Sequence, residues 1–185
     1  MKTKELEWDS KEYSKGYVAD YKPFNFVDGE GVRCSIYLSG CLFACPGCFN
    51  KAIQNFSYGA PYTLDLENQI LEDLSQPQVQ GLTLLGGEPF LNTEVALQLV
   101  KAVKARFAGT KDIWAWSGYT FEELLQGTED KLELLNMVDV LVDGRFMIDE
   151  RDLTIPFRGS RNQRVIDVKQ SLALCEVVEI EEYKI

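Results

Sequence analysis

Four short apolar runs, each broken at glycine, alternate with helical patterns, and this alternation narrows the fold to one class. Arg33-Cys-Ser-Ile-Tyr-Leu-Ser39 alternates like a strand and runs into Gly40. Leu82-Thr-Leu-Leu85 stops at Gly86-Gly87, Asp112-Ile-Trp-Ala-Trp116 at Ser117-Gly118, and Val138-Asp-Val-Leu-Val142 at Asp143-Gly144. Between them, Thr63 to Ser75 reads as a helix capped by Thr63, with Leu66, Ile70, Leu71 and Leu74 on one face. Thr93 to Phe107 places Val95, Leu99 and Val103 at four-residue steps beside Ala96 and Val100. Thr120-Phe-Glu-Glu123 has the spacing of a capping box. Arg164 to Val168 and Ala173 to Ile180 offer two more strands. Strand–helix alternation implies βαβ units and a parallel sheet. With 185 residues against the roughly 250 of a full eight-fold barrel, the expectation is a partial, open α/β barrel of five or six mainly parallel strands. Residues 1–20 are polar and mixed and read as a poorly packed extension, with 21–185 as one domain.

In such folds ligands sit at the carboxyl ends of the strands, and the unusual motifs of this chain fall there. The densest is Cys41-Leu-Phe-Ala-Cys45-Pro-Gly-Cys48, a C-x3-C-x2-C triplet. Extended, its ends would lie roughly 20 Å apart. Gly40, Pro46 and Gly47 supply turns that can wrap it around one small body. An iron–sulfur cube normally takes four cysteines, so three leave one iron open to another ligand. Two alternatives stand beside this: a structural zinc site completed by Cys34 or Cys175, and a disulfide.

Composition sharpens the choice. The chain has no histidine, which removes the commonest zinc ligand and the usual general base. Soft thiolates select zinc, Cu(I) or iron–sulfur clusters. A net charge of −10 argues against a nucleic-acid backbone as partner. No run of about 18 apolar residues predicts a membrane span, and the charged N-terminus lacks an apolar signal core, so a cytoplasmic protein with reduced thiols is expected.

The triplet together with Gly86-Gly-Glu-Pro-Phe90 resembles the radical S-adenosylmethionine superfamily. That superfamily is marked by C-x3-C-x-φ-C, with φ usually aromatic. Here Gly47 stands at that place and Phe49 follows Cys48. The shifted pattern is similar to one subgroup, the activating proteins of anaerobic (class III) ribonucleoside-triphosphate reductase. Further similar segments are Asp28-Gly-Glu-Gly-Val-Arg33, Ser39-Gly-Cys41, Cys45-Pro-Gly-Cys-Phe-Asn50, Trp114-Ala-Trp-Ser-Gly-Tyr-Thr120, Val142-Asp-Gly-Arg-Phe146, and Phe157-Arg-Gly-Ser160 with Asn162-Gln163. The likeness spans roughly residues 17 to 168. Many relatives carry a histidine between the first two cysteines, whereas this chain has Leu42-Phe43-Ala44.

The resemblance implies a radical-SAM-type partial βα barrel and a 4Fe–4S cluster held by Cys41, Cys45 and Cys48. It implies S-adenosylmethionine (SAM) on the open iron. Reductive cleavage of SAM then gives a 5′-deoxyadenosyl radical that takes a hydrogen from a glycine of the reductase, with reduced flavodoxin as electron donor. An activase of a pyruvate formate-lyase-type enzyme is the nearest alternative, and a zinc-binding interaction module the more distant one. The resemblance sets Gly86, Gly87 and Glu88 against the methionyl ammonium, and Gly47 and Phe49 against adenine. Ser117 is expected in the SAM pocket, and Asp143 and Arg145 near ribose or carboxylate. Their plainer readings are a turn at Gly86-Gly87, a surface carboxylate at Glu88, a core aromatic at Phe49, a turn residue at Ser117 and a local Asp143–Arg145 ion pair. Arg158, Asn162 and Gln163 are expected either to close the pocket or to dock the reductase. Trp114 and Trp116, two residues apart on one strand face, read as core packing.

Overall fold

The structure is a computed structural model and describes residues 8–185. In chain order its elements are α1 (Ser10–Tyr13), β1 (Tyr17–Asn25), β2 (Val32–Leu38), β3 (Ala60–Pro61), α2 (Leu64–Leu74), β4 (Val79–Gly86) and α3 (Thr93–Phe107). There follow β5 (Asp112–Trp116), α4 (Phe121–Leu124), α5 (Glu129–Met137), β6 (Val140–Asp143), β7 (Arg164–Asp167) and α6 (Val168–Leu174). All seven strands form one mixed sheet in the order β3-β1-β2-β4-β5-β6-β7. The middle four, β2, β4, β5 and β6, are parallel. Their helical crossovers, α2, α3 and the α4–α5 pair, are the βαβ units that the alternation predicts.

The flanks correct the expectation of five or six mainly parallel strands. β1 pairs antiparallel with both β2 and β3, and β7 antiparallel with β6. The reason is the connections: only six residues, with Gly29 and Gly31 at positive φ, join β1 to β2, too short for a parallel crossover. A second correction concerns residues 1–20. Residues 8–20 are packed: Ser10 is buried and Tyr17 to Asp20 belong to β1. Residues 1–7 of that segment lie outside the described residues.

A third correction concerns Ala173 to Ile180. Asp167 caps α6 by accepting from the Gln170 N–H at 2.9 Å, which draws residues 168–174 into a helix. Only Val178 to Ile180 run beside β7, through Asp167 N–H to Val178 O and Ile180 N–H to Val165 O. The fourth strand begins at Val140 rather than Val138, because Val138 ends α5.

Helices cover one face of the sheet. Ile36, Leu38, Leu82, Leu84, Ile113, Ala115 and Leu141 point into a core with Ile70 and Leu74 of α2, Val95, Leu99 and Val103 of α3, and Leu134 and Leu135 of α5. The alternate positions Trp114 and Val142 point the other way, into an aromatic cluster with Val165, Tyr183 and Phe157. This face, on which no α-helix packs among the described residues, holds the cavity described below.

Local chemistry sets the helix boundaries. Thr63 accepts from the Leu66 N–H at 3.2 Å. Thr120 and Glu123 form the complete capping box. Thr120→Ala removes one half of that box and is expected to cost about 1 kcal/mol. A thermal melt checks this: a fall in Tm of about 2–4 °C is the expected reading.

Candidate functional site

β2 ends at Leu38, and the loop after it carries the triplet. Gly40, Ala44 and Gly47 adopt φ of 102°, 49° and 75°, so the loop reverses repeatedly and wraps rather than extends. Glycine tolerates this at two of the three positions. The N–H groups of Gly40 and Cys41 donate to Ile53 O and Gln54 O, and Cys48 N–H donates to Cys45 O. Cys41, Cys45 and Cys48 all line one cavity of about 640 Å³. Cys34 is buried within β2 and Cys175 is exposed at the end of α6, and neither lines it. All five cysteines are free thiols. Among the described residues, no three His, Cys, Asp or Glu side chains gather tightly enough to hold a single metal ion. The three thiols border a space instead of converging on a point. Burial, and next the Glu88 carboxylate, push the Cys41 thiol up to about 12. Burial also raises Cys45. Metal binding at these sulfurs must therefore expel protons.

The end of β4 is locked to this loop. Gly87 N–H donates to Leu38 O at 2.8 Å and Glu88 N–H to Gly40 O at 2.9 Å. A Cβ on Gly86, at φ 107°, would lie 2.8 Å from Leu38 N, and one on Gly87 would collide with the Gly40 carbonyl. Glycine is needed here for strand-to-loop contact, and both residues also line the cavity.

Glu88 is 1% exposed and lines the cavity. It accepts from Ser117 Oγ at 2.9 Å, the Gly118 N–H at 2.7 Å and the Phe90 N–H at 3.0 Å. Burial raises its carboxyl to about 7, against the pull of those three donors and of the Lys131 ammonium. Its carboxylate is a clamp between the ends of β4 and β5 rather than a surface charge. Ser117 joins it in the wall, its own N–H bound to Val142 O.

Asp143 and Arg145 stand apart from the main cavity. Asp143 is buried and accepts from Arg164 at 2.5 and 3.0 Å and from the Phe121 N–H at 2.7 Å. Its ion-pair partner is thus Arg164, which also holds Glu122, and not Arg145. Burial raises the Asp143 carboxyl while Arg164 opposes the shift. Both residues border a second hollow of about 500 Å³ on the far side of Gly118 and Gly144. The Arg145 guanidinium lies 4.8 Å over the Phe43 ring.

Phe49 is 63% exposed, so it is not a core aromatic; it lines the cavity 5.4 Å from Phe146. Gly47 packs beneath Ile148, whose Cδ1 a Cβ would meet at 2.8 Å. Arg158 is buried and donates to the carbonyls of Pro156, Gln163 and Tyr183. Gln163 accepts from Gly159 and Ser160 and donates to Gly144 O. Asn162 donates to Arg145 O. These three residues shape the loop after β6, and Arg158 and Gln163 also line the cavity. Sequence reasoning missed Trp116, Phe157 and Asn50 as cavity residues. Trp116 immediately precedes Ser117 at a strand end, a position that could have marked it. Its indole N–H donates to Phe157 O at 2.9 Å.

The chain matches the family described as a 4Fe-4S single cluster domain over residues 27–166. It is 44% identical over 147 residues to the anaerobic ribonucleoside-triphosphate reductase-activating protein of Pasteurella multocida (strain Pm70), covering 77% of this chain and 92% of that protein. The protein of that name from Escherichia coli (strain K12) is 40% identical over 149 residues, 78% of this chain and 94% of the relative. The one from Enterobacteria phage T4 is 42% identical over 147 residues, 77% and 88% of the two chains. At these identities and coverages, and with the cysteine loop inside the matched region, the chain belongs to the family of anaerobic ribonucleoside-triphosphate reductase-activating proteins.

Proposed function

We propose that the chain is the activase of an anaerobic ribonucleoside-triphosphate reductase, with a 4Fe–4S cluster on Cys41, Cys45 and Cys48 and SAM on the remaining iron. The observation that carries it is the shared cavity: the triplet, Gly86-Gly87-Glu88 and Ser117-Gly118 arrive from three parallel strand ends and face one space. We read the sheet as a partial radical-SAM barrel; the run β2-β4-β5-β6, with its strand-end loops lining one cavity, supports that reading.

The donor set fits the cluster. Three thiols spread along a cavity wall suit a cube several ångströms wide, and no fourth cysteine stands beside them. When bound, an open-iron cluster supplies the electron that cleaves the SAM sulfonium and thereby generates the radical that removes a hydrogen from glycine. The chain's own residues do the placing. The Gly86 and Gly87 backbone lines the wall beside the triplet and would take the methionyl group of a bound SAM, with the Glu88 carboxyl in the same wall. Trp116, Phe146, Phe157 and Phe49 give the rest of the wall an apolar lining that excludes water from a radical. Arg145 acts on this site through its position over the Phe43 ring and through its charge, which favours the Cys45 thiolate. Among the described residues no α-helix packs on this face, which leaves room for a large protein substrate to close it. Reduced flavodoxin is the donor this reading entails.

The test is anaerobic preparation followed by metal and sulfide analysis, then assay. About four irons and four acid-labile sulfides per chain are expected. SAM plus reductant should yield 5′-deoxyadenosine, and addition of the reductase a glycyl radical by electron paramagnetic resonance. Bound zinc with no iron, or no 5′-deoxyadenosine from iron-loaded protein, overturns the proposal. A radical on a pyruvate formate-lyase-type enzyme, and none on the reductase, reassigns the partner.

A further inference from the structure

Residues 8–14 lie outside the region matched by the family, which begins at residue 27, yet they touch both loops that form the site. The Trp8 indole packs edge-on against Phe43 at 5.2 Å and against Tyr119 at 6.4 Å, and those two rings lie 4.8 Å apart. Phe43 is in the spacer between Cys41 and Cys45, and Tyr119 is two residues past Ser117. The Trp8 carbonyl accepts from the Lys131 ammonium at 2.6 Å. Lys131 is 1% exposed, donates also to the Tyr119 hydroxyl at 3.2 Å, and is the cation that faces Glu88. Further along, Ser10 Oγ accepts from the Thr93 N–H at 3.0 Å. Ser14 Oγ donates to Asn92 Oδ1 at 3.0 Å. The Asn92 amide in turn donates to Glu88 O at 3.0 Å and to Gly40 O at 3.5 Å.

From this juxtaposition we propose that the N-terminal segment is a brace of the cluster loop, with Trp8 as a positioning residue. Its ring fixes Phe43, and so the Cys41–Cys45 arc. Its carbonyl fixes Lys131 opposite Glu88. Ser10 and Ser14 fix the turn beneath Glu88 and Gly40. The spacer that lacks histidine carries instead an aromatic that the N-terminus holds from behind. A ring contact of this kind is enough to shift the opening of a loop while leaving the strands beneath it undisturbed. The claim that the braced loop holds a cluster rests on the function proposed above, but the brace itself is a property of the metal-free chain.

The test is therefore made in both forms with the full chain, as Trp8→Ala and Trp8→Phe. In the metal-free protein, hydrogen exchange is read at the hydrogen-bonded amides of Gly40, Cys41, Cys48 and Gly118, and at Leu84 and Ala115 in the strands. Trp8→Ala is expected to speed exchange at the first four about tenfold, with the strand amides unchanged and Trp8→Phe close to the unaltered chain. In iron-loaded protein, Trp8→Ala is expected to lose iron to a chelator about tenfold faster, with Trp8→Phe again near normal. Unchanged loop exchange in Trp8→Ala overturns the brace, as does a speed-up spread equally over loop and strands. If the unaltered chain binds no iron, the cluster reading falls while the exchange result still decides the brace.

Discussion

Cys45→Ala is expected to give a folded chain with no usable cluster. The side chain sits in a loop, half-exposed, with its sulfur toward the cavity, so its loss leaves both cores intact. Surface-type substitutions of this kind stay within about 0.5 kcal/mol, and Tm should move by no more than about 2 °C. Two thiols cannot replace three around a cube, so iron content after anaerobic reconstitution should fall from about four per chain toward background. 5′-Deoxyadenosine formation should fall below detection with it. Cys34→Ala is the control. That side chain is buried among Ile36, Leu82 and the α2 leucines, so its removal should cost about 1 kcal/mol and leave iron binding untouched. Equal iron in Cys45→Ala and the unaltered chain would refute the ligand assignment.

Glu88 carries the second large effect, on stability. Glu88→Ala strands the Ser117 hydroxyl and two backbone N–H groups inside the protein, while the Lys131 ammonium loses a facing charge but keeps the Trp8 carbonyl and the Tyr119 hydroxyl. Each buried donor left unmade costs about 1–3 kcal/mol, partly relieved by water from the cavity, and a net loss of about 3 kcal/mol is expected. For a chain of this length that lowers Tm by about 6–12 °C. Glu88→Gln keeps the shape but turns an N–H toward the Gly118 N–H, and should lose about 2 kcal/mol.

The same residue sets a pH dependence in the metal-free chain. Its carboxyl titrates near 7 when folded and near 4.5 as the reference value, so between those values the folded state holds a proton that the unfolded state has released. Stability must then fall as pH rises from about 4.5 to about 7, by up to about 3 kcal/mol from this group alone. Below that window the contribution is fully present. Glu88→Gln should flatten that slope, and urea titrations at pH 5 and pH 7 measure it. With no histidine in the chain, no imidazole competes for the signal.

What the sequence made legible follows from which interactions are local. The capping box at Thr120 and the helix from Thr93 to Phe107 rest on neighbours within four residues, and both stand where the pattern put them. The strand ends were legible because glycine interrupts an apolar run. The antiparallel flanks were not, because a strand's direction depends on its connection and partner rather than its own pattern. The N-terminal segment was illegible for a related reason. Trp8 is a lone aromatic among polar residues, Ser10 and Ser14 fit no apolar pattern, and their partners lie about 35 to 120 positions away. In the site, the cysteines and glycines announced themselves by type and spacing. The local reading of Asp143 pairs it with Arg145, but its partner is Arg164, twenty-one positions on. The resemblance sets Glu88 against the methionyl ammonium; that its carboxylate also ties two strand ends together is visible only once Ser117 and Gly118 are in place.

The one-sided placement of the helices gives the molecule a front and a back. Lys101 and Ala105 lie exposed on α3, across the sheet from the thiols. A tether or fluorophore attached there leaves the loop face turned outward, so an immobilised chain would present its cavity to a passing reductase in a single orientation.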